Sequence, residues 1–211
     1  MKPGRMSGRF CPRLIIMCKA PVMGRVKTRL GRETGLPQAT QIYRSTLSHV
    51  AARLSHSGRW QTILAVAPDV AVTSPMLAQH LARVPQGAGD LGQKLQNVVD
   101  SLPPGPVVII GTDIPGIRAC DIAAAFDKLG SYDAVFGPAS DGGYWLVGLR
   151  RRPATPRAFG GVRWSGPHAL SDTKKNLSGH SVAEIATLDD TDTADDLARL
   201  SRFIGRRILP A

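Results

Sequence analysis

Aromatic residues are scarce in this chain, at 5% of its 211 residues, and none of them interleaves with the basic clusters. Proteins that bind single-stranded nucleic acid stack bases on aromatic side chains, so this scarcity argues against a nucleic-acid partner. Long apolar runs are also missing, since no stretch approaches the roughly 20 residues that a membrane helix needs. The apolar run at residues 14–18 is too short for the core of a signal peptide. We therefore expect no membrane span.

Cysteine pairs are lacking as well. Cys11, Cys18 and Cys120 are an odd number and form no C-x-x-C motif, which argues against a disulfide framework or a zinc site. Reduced thiols indicate a cytoplasmic protein.

Acidic residues are few, with 16 against 27 lysines and arginines, which gives a net charge of +11. That balance suits an anionic partner, either nucleic acid, anionic lipid or a phosphorylated small molecule.

The length and the 43% hydrophobic content predict one globular domain, residues 13–211, after a flexible basic tail, residues 1–12, in which Met6 is an alternative start. Apolar β-branched runs predict strands at 13–18, 61–67, 107–110, 133–137, 144–149 and 182–188. Helices are predicted at 37–57, 74–83, 93–102, 119–129, 167–177 and 193–204. This alternation indicates an α/β domain with a mostly parallel sheet. The short link before residue 144 predicts an antiparallel strand there.

The run at residues 107–110 consists of four β-branched residues, which predicts a central strand buried on both faces. Gly111 and Pro115 end the strand, so Asp113 is expected at the carboxyl edge of the sheet, where ligands bind in open α/β folds. A carboxylate there suits Mg²⁺ or Mn²⁺ carrying a substrate phosphate. The alternative is that Asp113 caps a helix beginning near Ile117.

The loop after the first strand carries Lys19, Lys27 and Arg29. It is not a P-loop, because Val26 stands where that motif requires a glycine before the lysine. A basic loop at this edge can still clamp a diphosphate, and an arginine offers a two-pronged contact to it. The alternative is a solvated basic loop.

Two glycine-rich stretches follow. The letters G-x-G-x-x-G from Gly87 match a dinucleotide fingerprint, but Pro85 stands where its strand is expected and Asp90 would face a pyrophosphate. A dehydrogenase is therefore disfavoured, and Asp90 is alternatively a helix cap. Asp141 lies in a turn before two further glycines, after a strand that ends at the ligand edge. It is expected either to share a cation with Asp113, to act as a base, or only to close the turn.

Taken together, these stretches resemble a bacterial family of glycosyltransferase-A-like proteins, DUF2064, also called radical-SAM/selenodomain-associated transferase 1, which is similar to nucleotidyltransferases of cofactor synthesis. The resemblance runs in order from about residue 13 to 200. The matching blocks are K-x-P-x-x-G-x-V-K-T-R-L from Lys19, G-D-L-G from Gly89, G-T-D-I-P from Gly111, G-P-A-S-D-G-G-Y from Gly137, F-x-G-V-x-W-S from Phe159 and D-T-x-x-D-L from Asp192.

The resemblance implies a single-domain, three-layer α/β/α fold of the nucleotide-diphospho-sugar transferase type. It implies a metal aspartate at Asp113, although Thr112-Asp113-Ile114 lacks the second aspartate of the D-x-D motif, so that Asp141 or Asp192 would complete the site. Gly166 and Ala194 stand where threonine and proline are expected. The implied nucleotide-binding residues are Lys19, Pro21, Gly24, Lys27, Thr28, Arg29, Gly89, Asp90 and Gly92, and the implied acceptor residues are Gly142, Gly143, Tyr144, Trp164 and Ser165.

Three functions remain open from the sequence. The first is a Mg²⁺- or Mn²⁺-dependent glycosyltransferase that passes a sugar from a nucleoside-diphosphate sugar to a small acceptor. The second is a nucleotidyltransferase that joins a nucleoside triphosphate to a phosphorylated substrate and releases pyrophosphate. The third is a non-catalytic nucleotide or nucleic-acid binder, for which the charge of +11 is the support.

Overall fold

The computed structural model describes residues 10–114, 116–152 and 154–188. These residues form a seven-stranded sheet with the order β3-β2-β1-β4-β6-β5-β7. The strands are β1 (Arg13–Lys19), β2 (Gln61–Ala67), β3 (Ala82–Pro85), β4 (Val107–Ile110), β5 (Ala134–Pro138), β6 (Tyr144–Leu149) and β7 (Val182–Glu184).

Strand β6 gives the sheet its mixed character. It lies between β4 and β5 and is antiparallel to both, whereas the other neighbouring pairs are parallel. The antiparallel strand predicted at this position is thus confirmed, and so is the mostly parallel sheet. Because β6 begins where β4 and β5 end, the β5–β6 turn lies beside the carboxyl end of β4.

The helices pack on both faces of the sheet. They are α1 (Thr28–Thr34), α2 (Leu36–Ser55), α3 (Leu91–Ser101), α4 (Ala119–Lys128) and α5 (Ala169–Asn176). Successive residues of β4 point to opposite sides, so Val108 and Ile110 join a core with α2 and α4, while Val107 and Ile109 join a second core with α3. Both cores are fully enclosed around β4. This arrangement is the three-layer α/β/α fold that was predicted.

Some predicted elements differ from the structure. The helix expected at residues 74–83 is wrong, because that segment forms turns and then enters β3 at Ala82. The Arg83 side chain donates hydrogen bonds to the carbonyls of Val72, Ser74 and Leu77, which hold the segment in a non-helical path. Pro85 ends β3, so the glycine-rich stretch does follow a strand.

Helix α1 was not predicted, and the last strand stops at Glu184. The helix predicted at 193–204, Asp192 and residues 1–9 of the predicted tail lie outside the described residues. Phe10 lies beneath the Arg152 guanidinium, 3.4 Å from its ring centroid. Within the described part of the chain, no helix has both the length and the apolar character to cross a membrane.

Candidate functional site

The site lies at the carboxyl edge of the sheet, where β1, β4 and β5 end and β6 begins. Lys19 ends β1, Asp113 follows β4, and Asp141 lies in the β5–β6 turn. Asp113 is not the cap of the next helix, because α4 begins at Ala119 and Arg118 occupies its N-cap position. The topology therefore brings together, at one edge, side chains that are far apart in the sequence.

An ion pair joins the first two of these loops. Lys27 is the N-cap residue of α1 in a left-handed conformation with φ of 45°, and its Nζ lies 2.7 Å from Asp113 Oδ1. The Lys27 side chain is 11% exposed, whereas that of Asp113 is 49% exposed. The lysine is therefore held within the protein while the carboxylate faces the solvent. The pair joins the β1–α1 loop to the segment that follows β4.

Tyr43 fixes the backbone at the end of β1, next to the site. This α2 residue is 5% exposed, and its hydroxyl accepts a hydrogen bond from Lys19 N at 2.8 Å and donates to Lys19 O at 3.1 Å. Burial raises the pKa of Tyr43 well above its usual value, so the hydroxyl keeps its proton. Thr112, next to Asp113, is also hydrogen-bonded to this side chain. Tyr43 thus connects the end of β1 with the segment after β4 that carries Thr112 and Asp113.

Tyr43→Phe is expected to lower the free energy of unfolding by about 1–3 kcal/mol, because both backbone groups of Lys19 lose a partner in a partly buried place. Urea denaturation followed by circular dichroism measures the change. Tyr132→Phe is the matched control, since Tyr132 is 37% exposed. Equal stability of the two variants would show that Tyr43 has no supporting role.

A cleft of about 480 Å³ opens beside Asp113. It is lined by the two predicted carboxylates, Asp113 and Asp141, and by Arg29 from α1. Five of the predicted nucleotide-binding residues belong to the β1–α1 loop or its junctions, and of these Lys27 is connected to the cleft by its ion pair with Asp113. The five are Lys19, Pro21, Gly24, Lys27 and Thr28. The predicted acceptor residues that line it are Gly143, Tyr144, Trp164 and Ser165.

The β5–β6 turn holds Asp141 in a defined position. Asp141 Oδ1 accepts a hydrogen bond from Gly143 N at 2.8 Å, which is the turn-closing contact anticipated for this residue. Gly142 has φ of +85°, and a Cβ atom there would lie 2.4 Å from the carbonyl oxygen of Pro167. Gly142 O also accepts from Leu170 N in α5. The turn is therefore fixed against α5 while Asp141 stays exposed at the cleft.

The Gly89–Gly92 block has a structural role in the chain. Asp90 caps α3 in a reciprocal capping box with Gln93, each side chain accepting from the other residue's backbone N–H at 2.8 Å. A Cβ atom on Gly92 would lie 2.3 Å from Phe159 O, so this glycine lets the segment that carries Phe159 pack closely on α3. Leu91 is the residue of the block that lines the cleft. A phosphate-binding role for Gly89, Asp90 and Gly92 stays a prediction.

The far wall of the cleft is the segment that carries Trp164. Its ring lies edge-on to Tyr144, with centroids 6.3 Å apart. Arg163 forms a two-pronged ion pair with Asp172 of α5, with both contacts at 2.8 Å, and this bonding lowers the pKa of Asp172. The wall is therefore attached to α5, the helix that also fixes the Asp141 turn.

The residue types at the cleft suit a hard divalent cation. Asp113 and Asp141 offer carboxylate oxygens, which Mg²⁺ and Mn²⁺ prefer. Among the described residues, no group of three or more histidine, cysteine, aspartate or glutamate side chains is close enough to hold a metal, and Asp192 lies outside them. The donors fit a cation that takes its remaining ligands from substrate phosphate and water.

Sequence reasoning missed three features of the site. The first is Tyr43, which lies four residues before Leu47 on the apolar stripe of α2. A buried tyrosine needs a hydrogen-bond partner for its hydroxyl, and this requirement could have indicated its role. The second is Met17 in the cleft floor, which the sequence pattern does not distinguish from the other apolar residues of β1. The Arg163–Asp172 pair spans two elements, so local sequence carries no signal for it.

The chain belongs to the family described as "uncharacterized protein conserved in bacteria" (DUF2064), which matches residues 50–166. This confirms the family inferred from the sequence blocks. No protein of curated function matches the chain.

Solved structures support the fold. A protein from Desulfovibrio desulfuricans, provisionally described as a nucleotide-diphospho-sugar transferase, has a TM-score of 0.79 and 28% identity over 93% of this chain and 88% of its own. CMP:2-keto-3-deoxy-manno-octonic acid synthetase in complex with CTP has a TM-score of 0.58 and 12% identity, covering 93% and 99%. Rv0371C from Mycobacterium tuberculosis in complex with manganese has a TM-score of 0.51 and 18% identity, covering 92% and 98%. The last two show similarity of fold alone.

Proposed function

We propose that the protein is a divalent-cation-dependent glycosyltransferase that uses a nucleoside-diphosphate sugar as donor and a small hydroxyl compound as acceptor. The observation that carries the proposal is the Lys27–Asp113 ion pair at the edge of a cleft that Arg29 and Asp141 also line. The relative from Desulfovibrio desulfuricans, described as a transferase of this kind, supports it. We further propose a cytoplasmic location, because the three cysteines form no C-x-x-C motif and suit reduced thiols.

The basic side chains hold the donor. Lys27 and Arg29 come from one loop and helix start, so they can contact neighbouring phosphate oxygens of a diphosphate together. Their charges stabilise the diphosphate as it leaves, which is where negative charge develops in the transition state. Asp113, with Asp141 or the donor phosphates, would hold a Mg²⁺ or Mn²⁺ ion, which would supply further positive charge to stabilise the leaving diphosphate.

The transfer itself exchanges one bond for another. The acceptor oxygen forms a bond to the anomeric carbon of the sugar, and the bond from that carbon to the diphosphate oxygen breaks. The nucleoside diphosphate leaves with the bonding electrons, and the acceptor hydroxyl gives its proton to the Asp141 carboxylate. The turn and α5 hold that carboxylate in place during the exchange.

Thermal-shift measurements with nucleotides and nucleotide sugars, each with and without Mn²⁺, test the proposal. A nucleoside-diphosphate sugar with Mn²⁺ is expected to raise the melting temperature most, because ligand that binds only the folded state stabilises it. Stabilisation by triphosphates alone would favour nucleotidyl transfer, the reaction type suggested by the CTP-bound structure of the same fold. No response to any nucleotide would leave a non-catalytic or unrelated binding role.

Cation binding is expected to depend on the nucleotide. Mn²⁺ alone should bind weakly, since the described cleft offers two carboxylates, and binding should tighten about tenfold or more with a nucleoside diphosphate present. Isothermal titration calorimetry measures both affinities. Asp113→Asn should abolish the tightening, while Asp127→Asn, a change in an exposed surface ion pair, should leave it intact. Tight Mn²⁺ binding that survives Asp113→Asn would contradict the assignment.

A further inference from the structure

The cleft has two chemically different parts. Its charged lining consists of Arg29, Asp113 and Asp141. The rest is neutral and mostly apolar, and it extends along the sheet face that carries α3 and α5. This part, which we call the apolar half, is lined by Met17, Leu91, Leu95, Tyr144, Val147 and Trp164.

The apolar half is the open end of the second core cluster. Leu95 and Val147 belong to that cluster, and Met17, Tyr144 and Trp164 pack against it but are only partly buried. Leu91, at the cleft mouth, is 45% exposed. Apolar side chains left open to water in a concave site are typical of a ligand pocket, and the cleft volume of about 480 Å³ suits a small molecule.

The Tyr144 hydroxyl of this wall has a partner within the protein. The Tyr144 hydroxyl lies 3.3 Å from Thr173 Oγ1, and burial raises the pKa of Tyr144, so it remains a neutral phenol. A sugar or phosphate group placed here would lose its hydrogen bonds to water with little to replace them. An aryl or short alkyl group would instead cover Trp164 and Leu91 from water.

We propose that the acceptor is a neutral alcohol or phenol whose body is an aryl or short alkyl group. This inference rests on the proposed function. The acceptor hydroxyl lies at Asp141, and its apolar body lies between Leu91 and Trp164. Free sugars and sugar phosphates are poor acceptors, because most of their polar groups would lie against the apolar side chains of Met17, Leu91 and Leu95.

Calorimetric titration of the free protein with 2-naphthol and with glucose tests the inference without donor or metal. The protein should bind 2-naphthol at least tenfold more tightly than glucose, since burial of an aromatic ring contributes about tenfold to a hundredfold in affinity. Trp164→Ala and Leu91→Ser should each weaken 2-naphthol binding about tenfold. Leu91 is exposed, so its variant should keep the fold, and Val70→Ser, at a residue 88% exposed and outside the cleft lining, is the control.

Three results would overturn the inference. The first is equal affinity for glucose and 2-naphthol. The second is unchanged 2-naphthol binding in Leu91→Ser and Trp164→Ala. The third is displacement of 2-naphthol by uridine, cytidine or guanosine, which would make the apolar half a nucleobase site. Failure of the proposed function can be distinguished from failure of this inference. Loss of every nucleotide response with intact 2-naphthol binding contradicts the transferase, whereas nucleotide-sugar binding without 2-naphthol binding contradicts only the acceptor class.

Discussion

Asp141→Asn is expected to lower turnover by about 10²–10⁴-fold while leaving nucleotide affinity nearly unchanged. A general base contributes an acceleration of this size, and an amide of the same shape cannot accept the acceptor proton. The asparagine oxygen can still accept the hydrogen bond from Gly143 N, so the turn is preserved. Turnover with the identified donor and acceptor, together with calorimetric nucleotide affinity, measures the two effects separately.

The ligand role of Asp141 predicts a different pattern. If its carboxylate holds the cation instead, Asp141→Asn should also weaken Mn²⁺-dependent nucleotide binding. Asp100→Asn is a suitable control, because Asp100 is a surface residue of α3 paired with Arg157. Full activity in Asp141→Asn would leave this residue with the turn-closing role alone.

Lys27→Ala and Arg29→Ala are each expected to raise the dissociation constant for a nucleoside diphosphate by about tenfold to a hundredfold. A hydrogen bond to a charged group contributes roughly 1.5–3 kcal/mol, which corresponds to that range. Lys27→Ala has a second consequence, because it leaves Asp113 without its 2.7 Å partner. We therefore expect Lys27→Ala to alter Mn²⁺ affinity as well, whereas Arg29→Ala should not.

Calorimetry at low and moderate salt checks these expectations, since charge–charge contributions weaken with ionic strength. Arg59→Ala removes a cation from an exposed pair with Asp127 and serves as the control for net charge. If all three variants bind nucleotide as the parent protein does, the phosphate site lies elsewhere on the molecule.

Local sequence patterns predicted the main features of the fold. The four β-branched residues of β4 are buried on both faces, as such a run requires, and the short β5–β6 link does produce an antiparallel strand. The segment at residues 74–83 shows the limit of this reasoning. Its residue pattern predicts a helix, but three hydrogen bonds from the Arg83 side chain hold the segment in turns. These bonds form only because the chain folds back before it enters β3.

For the candidate site, sequence predicted which residues reach the ligand edge but not which of them meet. Asp113 and Asp141 were expected at this edge from the strands that precede them, and both line the cleft. Asp90 belonged to an equally suggestive glycine-rich block, and its side chain caps α3. Local sequence could not separate these cases, because an aspartate before a helix suits both a cap and a ligand site.

Residue order and periodicity were enough to establish the family, the α/β architecture and the basic character of the β1–α1 loop. Three features became visible in the folded chain alone: Lys27 binds Asp113, Tyr43 supports Lys19, and the apolar half continues the charged part of the cleft. The physical reason is that these contacts join elements brought together by the parallel crossovers of the sheet. Their energies depend on distance and burial, which the order of residues along the chain does not specify.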